Sequence, residues 1–257
     1  MREALAARLT GPAFLGLLLL GWEAAVEAGL VTRSLLPPPS QVAAALAQLV
    51  LSGAVLEPLS HTLGHLALGF ALGALAGVAL GVLMGSLAWL HDLLEPLLEL
   101  LRPLPKSALL PALVLFLGLG TTLHVSAVAL GVLFPVLVAT IQGVRGVDPV
   151  LLDTARSLRV PRWRVLLSVV LPAAAGHVMA GLRVALGLGL VLVTLSEMLA
   201  GSGGIGFVIL DTQRSFRVRQ MYAWIVILAV LGWLLNCGLA ALERSLLPWQ
   251  HGPQRPQ

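Results

Sequence analysis

From Leu66 to Gly85 the chain reads LALGFALGALAGVALGVLMG, twenty residues without a charge. As an α-helix this stretch is about 30 Å long, the thickness of a bilayer's hydrocarbon core. A helix also satisfies its own backbone, which lipid cannot do. The run, taken over 63 to 85, is therefore read as a membrane crossing. It carries glycines at 69, 73, 77, 81 and 85, one helical face at i, i+4 spacing. Apolar side chains gain nothing by leaving lipid for each other, so helices in a bilayer associate where small residues let backbones approach. This helix is expected to pack closely against a neighbour.

Comparable runs lie at about 12 to 30, 107 to 119, 122 to 141, 185 to 199 with extension at both ends, and 222 to 242. The third is short and follows LRPLPK, whose prolines break or bend a helix. A proline connector at 37 to 39 precedes an apolar patch at 42 to 51 read as interfacial. The expectation is an all-α polytopic membrane protein with about six transmembrane helices. With 58% hydrophobic and 11% charged residues, the chain cannot form a soluble sphere with a polar skin. It leaves no room for a soluble enzymatic module, so residues 1 to 257 are read as one membrane domain. The single cysteine, Cys237, excludes an internal disulfide and a multi-cysteine metal site, and its apolar neighbours suggest packing. VEA at 26 to 28 resembles a signal-peptide cleavage site, but the run is long and Glu23 and Glu27 interrupt its end, so retention is expected.

Six crossings put both termini on one side. Arg2, Arg8, Arg102, Lys106, Arg145, Arg156, Arg159, Arg162, Arg164, Arg183, Arg244 and Arg255 make twelve cations on that side, against Arg33, Arg214, Arg217 and Arg219 on the other. The bias predicts a cytoplasmic N-terminus.

Charge concentrates in LLDTARSLRVPRWRVLLSVVLPAAAG, 151 to 176. Asp153 is read as sitting near a helix start, where a carboxylate opposes the positive helix end, with Arg156 three residues on and within reach. Pro161 suits the first turn of a second short helix and ends the first near Arg159. Two short helices along the membrane surface are expected, with Pro172 marking the turn into the fifth crossing. By charge alone, these arginines could equally be lipid anchors.

The pattern adds more. Asp153, Thr154 and Ala155, then Val170, Leu171 and Pro172, resemble the ends of the EAA loop of ABC importer permeases, with an acid-for-acid change at Asp153 and Arg159 where glycine is usual. LRPLPKSALLPALVLFLGLG (101 to 120), LGFALGALAGVALGVLMG (68 to 85), ALGVLFPVLVATIQGVRGVDPVLLDTARSL (129 to 158) and SEMLAGSGGIGFVI (196 to 209) are similar to permease subunits of the nitrate, sulfonate and taurine importer group. The resemblance covers about 36 to 243. It implies a type I importer permease in a bacterial inner membrane, working as a homodimer. Two cytoplasmic ATPase subunits would bind ATP and Mg, and an extracytoplasmic binding protein would deliver solute. This chain would bind no cofactor, metal or nucleic acid and have no catalytic residue. Its coupling loop, about 145 to 172, would meet the ATPase through Asp153, Thr154, Ala155, Arg156, Arg159, Arg162, Leu171 and Pro172.

The chain lacks the phosphate-cradling G-x-x-x-x-G-K-[ST], since its only lysine, Lys106, follows a proline. Glu197 draws attention as a carboxylate inside a crossing. It lies fourteen residues past Arg183, about 21 Å along a helix, and a gating or structural role with bonds to Ser196 or Thr194 is expected. Asn236 is read as a bond across helices or a pathway residue. The stretch 201 to 220 is read as a glycine-flexible outer loop whose Arg214, Arg217 and Arg219 could meet the binding protein or draw in an anion. HTLGH, His61 to His65, has zinc-protease spacing without its glutamate, and its histidines are read as interfacial. An autonomous carrier or channel is the alternative function; it would transport without an ATPase.

Overall fold

The computed structural model describes residues 2–201 and 203–248, with side chains from residue 11 onward except at position 12. The described residues form α1 (Arg2–Glu27), α2 (Pro39–Leu51), α3 (Leu56–Ser86), α4 (Ala88–Leu101), a 3-10 turn (Lys106–Leu109) leading into α5 (Leu110–Leu117), α6 (Thr121–Arg145), α7 (Pro149–Ser157), α8 (Arg162–Val165), a π-helical turn (Leu166–Val170) running into α9 (Leu171–Ala200), α10 (Gly204–Arg214) and α11 (Val218–Leu246). Arg2, Arg8 and Arg255 of the charge count lie outside the described side chains.

The glycine ridge of α3 packs on α6 along its whole length. A Cβ at Gly73 would stand 2.5 Å from the carbonyl oxygen of Ala129, and one at Gly81 would stand 2.5 Å from the Thr140 Cβ. In the same register Gly69 faces Val128, Gly77 faces Val136 and Gly85 faces Val144. Partners therefore advance together, and α3 and α6 run parallel. On the other side of α6 the order reverses: Gly143 meets Ala174, Gly181 meets the Pro135 carbonyl and Gly131 meets Leu192. That makes α9 antiparallel to α6. The core lies where the three helices meet, at Leu66, Val128, Val132, Val136, Ala185 and Val193.

Parallel packing of α3 and α6 has a topological cost, because the chain between them must return across the membrane. It does so as α4 plus the segment Lys106–Leu117, bent by 87° at the break. The third crossing is thus not the simple helix expected at 107 to 119; it begins at Ala88 and is broken by Pro103 and Pro105. Its first arm packs through Leu90, Leu94 and Leu98 on Met84, Leu137 and Ile141. Among the described residues four helices are long and apolar enough to cross alone, and the bent pair taken as one span makes five. The first of the six expected crossings falls on α1, whose opening side chains lie outside the described set.

The fifth crossing extends mainly at its N-terminal end. Arg162–Ala200 is one 39-residue helix, so Pro172 marks no boundary. Proline lacks an N–H and clashes with the carbonyl four residues back; the π-helical turn immediately before it widens the helix where that clash would fall. The stretch 201 to 220 is not a loop either, since α10 occupies most of it. Cys237, expected to pack, is exposed on α11. α2 packs through Val42 and Ala45 on Ala223 at the start of α11, and Glu23 of α1 accepts from the Ser40 hydroxyl (2.6 Å) and backbone N–H (3.0 Å).

Candidate functional sites

At the end of the bundle where α3 and α6 begin, five buried polar side chains converge. Thr62, His124, Ser196 and Glu197 are fully buried and His65 is nearly so. Thr62 Oγ1 donates to Glu197 Oε2 at 2.9 Å, and His65 Nδ1 lies 3.2 Å from Glu197 Oε1. The His65 ring stacks on His124 at 4.5 Å between centroids, and His124 Nδ1 pairs with Ser196 Oγ at 2.9 Å. The α10 N-terminus enters the same cluster. Its Ile205 N–H donates to Thr62 Oγ1 (2.9 Å) and its Gly206 N–H to Glu197 Oε2 (3.0 Å).

The free N–H groups of a helix start need acceptors and favour negative charge. Here a carboxylate from α9 and a hydroxyl from α3 supply them. The glycines make the approach possible: Gly204 has φ +88°, and a Cβ there would collide with the Glu197 carboxyl group. SEMLAGSGGIG is therefore one device, in which Glu197 turns back to cap the next helix and ties it to α3. Ser196 and Thr194 are not its partners. Ser196 serves His124 and the Val193 carbonyl, and Thr194 bonds Leu190 O. Asn236 is exposed on α11, away from this cluster. His65 is buried in the cluster rather than interfacial; it stands four residues before Gly69, on the glycine face, and that continuity was the overlooked signal. Among the described residues no group of three or more His, Cys, Asp or Glu side chains could hold a metal ion.

The second site is the elbow between α6 and α9, at the opposite end. Asp148 caps α7, accepting from Val150 N–H at 2.9 Å, with Pro149 in the first turn. Asp153 is thus in mid-helix, not at the start, and it pairs with Arg156 at 2.9 Å. The helix stops through two bonds, Arg159 N–H to Arg156 O (2.9 Å) and Val160 N–H to Ala155 O (3.0 Å). This is the closing motif that needs a left-handed residue after the cap, and Arg159 takes that role at φ +53°. The turn that glycine makes without strain is retained, with an arginine in it.

Ala155 is buried, and Leu152 and Val165 pack on Val144, Val147, Val170 and Ala174. This packing roots the elbow in the ends of α6 and α9. Its outer side shows Val150, Leu158 and Trp163, at 67%, 72% and 59% exposure, among the exposed arginines 156, 159, 162 and 164. Thr154 Oγ1 turns back to Val150 O (2.7 Å); Leu171 is half-buried and Pro172 exposed. At the bundle's other end Arg217 pairs with Asp211 (2.7 Å), while Arg214 and Arg219 are exposed. Arg217, Arg219, Phe216 and α2 residues Gln41 and Gln48 line a cavity of about 420 Å³.

Known proteins are similar to this chain over most of its length. The taurine transport system permease protein TauC of Escherichia coli is 32% identical over 93% of this chain and 88% of its own. The aliphatic sulfonates transport permease protein SsuC of Bacillus subtilis is 33% identical over 90% and 83%. The riboflavin transport system permease protein RibX of Chloroflexus aurantiacus is 33% identical over 93% and 89%. A crystal structure of an amino acid ABC transporter with histidines shares the fold at TM-score 0.59 and 20% identity, over 79% of this chain and 97% of that one. The model of binding-protein-dependent transport system inner membrane components matches residues 69–248, from the glycine ridge through the elbow to the last helix. The chain therefore belongs to that family, as a permease component of ABC importers.

Proposed function

We propose that this chain forms the inner-membrane path for a small organosulfonate, with taurine and short alkanesulfonates the first candidates, and that the elbow is where ATP hydrolysis is coupled to it. The solutes for which the taurine and sulfonate relatives are named support the solute class. The observation carrying the coupling is the elbow's outer face, where Leu158 and Trp163 stand exposed among four arginines on a segment rooted by Ala155. Exposed large apolar residues ringed by charge mark a protein contact.

In this reading residues 1 to 257 act as one membrane domain. Two copies pair around the path, with two ATPase subunits holding ATP and Mg on the elbow side. A binding protein docks at the opposite end, near Arg214, Arg217 and Arg219. The elbow end is cytoplasmic, supported by the density of arginine there, and the N-terminus lies on the same side. A packed interface switches between discrete arrangements rather than stretching, so an ATPase gripping α7 would move α6 and α9 through Val144, Val170 and Ala174.

The test is uptake of taurine into proteoliposomes holding this chain with its ATPase and binding protein, comparing wild type with Leu158→Glu and Trp163→Glu. Uptake and solute-stimulated hydrolysis should fall at least 10-fold while the permease stays inserted. Wild-type uptake without any ATPase would establish an autonomous carrier instead.

A further inference from the structure

The only lysine of the chain stands where charge is expensive. Lys106 was expected on the membrane face with the arginines, but its amine lies 4.3 Å from the centre of the Phe134 ring. Phe134 is thirteen residues from Thr121 and eleven from Arg145, so this level is about 20 Å from one end of α6 and about 16 Å from the other. Charged groups at such depth face protein or a water-filled path and mark function more often than chance.

The local geometry explains how the charge is held without being neutralised. At the bend after α4, Lys106 Nζ donates to the carbonyl of Leu101 at the helix end (2.6 Å) and to those of Leu104 (3.0 Å) and Arg102 (3.3 Å) just beyond it. Carbonyl dipoles at a helix end steady an ammonium but leave its unit charge. Among the described residues no carboxylate pairs with Lys106, whereas Arg102 pairs with Glu99 at 2.9 Å and His91 lies 3.4 Å from Glu95.

Lys106 borders a cavity of about 440 Å³ between α4, α6 and α9, within the usual range for small-ligand sites. Its walls are Phe134, Pro135, Val184 and Leu188, and its polar side chains are Lys106, Arg102 and Gln142. An adjoining cavity of about 300 Å³ shares Arg102 and Gln142 and continues past Glu99, Glu95 and His91 to Arg145, at the elbow end. One is a mostly apolar, open-sided pocket with a positive charge at its border; the next leads on toward the elbow, past paired charges.

We propose that the Lys106 cavity is a transit site for a small organic anion with an apolar tail, of the sulfonate class, held by the field of Lys106, by hydrogen bonds from Arg102 and Gln142, and by tail contact with Phe134, Val184 and Leu188. The solute class rests on the reading given under Proposed function; the site rests on the cavity. Lys106 attracts the anion and steers it, while its bonded hydrogens keep it from binding so tightly that the anion cannot leave.

Because Lys106 is the sole lysine, its amine can be followed alone. The full chain in phosphatidylcholine vesicles would be treated with formaldehyde and borohydride, and methylation of the Lys106 peptide read by mass spectrometry. Ethanesulfonate at millimolar concentration should slow methylation about 10-fold, the weight of one charge-assisted contact, while ethanol and added phosphatidylglycerol leave it unchanged. Equal protection by ethanol, protection by phosphatidylglycerol, which would make this a lipid site, or no methylation under any condition would each overturn the proposal. In the assembled transporter Lys106→Gln should lower ethanesulfonate uptake about 10-fold and Lys106→Arg should retain most of it. Unchanged uptake in Lys106→Gln also overturns the site. Protection of Lys106 without wild-type uptake of any sulfonate would instead remove the solute reading and leave the anion site standing.

Discussion

The two ends of this bundle spend their polar residues in opposite ways. At the Glu197 end Thr62, His65, His124 and Glu197 are buried, and each is bonded or stacked across helices far apart in sequence. At the elbow the polar bonds are short-range, Asp148 to Val150, Thr154 to Val150 and Arg156 to Asp153, and the arginines point outward. A buried network is costly to leave half-made, so the first end resists change. Exposed pairs contribute little, so the second keeps its surface for a partner and takes its stability from Ala155 and Leu152 underneath.

The sharpest way to break that contrast is Glu197→Ala, which leaves Gly206 N–H, Thr62 and His65 without their acceptor in a buried place. It should cost about 3 kcal/mol, seen as a lower thermal midpoint in detergent together with faster amide exchange at Ile205 and Gly206. A smaller effect of opposite sign is expected at the elbow. Arg159→Gly removes the strain of a left-handed arginine and should stabilise α7 by about 1 kcal/mol, read as slower exchange of the Val160 amide bonded to Ala155 O. Destabilisation there would show that the Arg159 side chain holds the turn. Smallest of all, Arg156→Ala should change the midpoint by less than about 0.5 kcal/mol, because its pair with Asp153 is exposed on both sides. A loss comparable with that of Glu197→Ala would erase the contrast.

What the sequence disclosed follows from the range of the interactions involved. Membrane crossings and the glycine ridge are periodic and local, so 63 to 85 could be read directly, as could the reach of Asp153 to Arg156. Glu197 was picked out because a carboxylate within a crossing is conspicuous. Its partners were not, since Thr62 lies 135 residues away and nothing short-range links them. Proline was a true signal in one place and a false one in another. Pro103 and Pro105 do bend the chain, within the third crossing, whereas at Pro172 a π-helical turn absorbs the missing N–H and the helix continues. Whether a proline ends or only bends a helix is decided by packing that local sequence does not state. The glycines from 201 to 206 were taken for flexibility, whereas Gly204 lets a backbone approach the Glu197 carboxylate and Gly206 lets it approach the Thr194 carbonyl.

The bent third crossing also bears on how the chain is held in the membrane. α4 is fourteen residues long and carries His91, Asp92, Glu95 and Glu99, and α5 has only eight residues. Neither offers the run of about 20 apolar residues that lets a segment partition into lipid on its own. Only taken together are the two arms apolar enough to cross, so a change that polarises either arm weakens the membrane affinity of both.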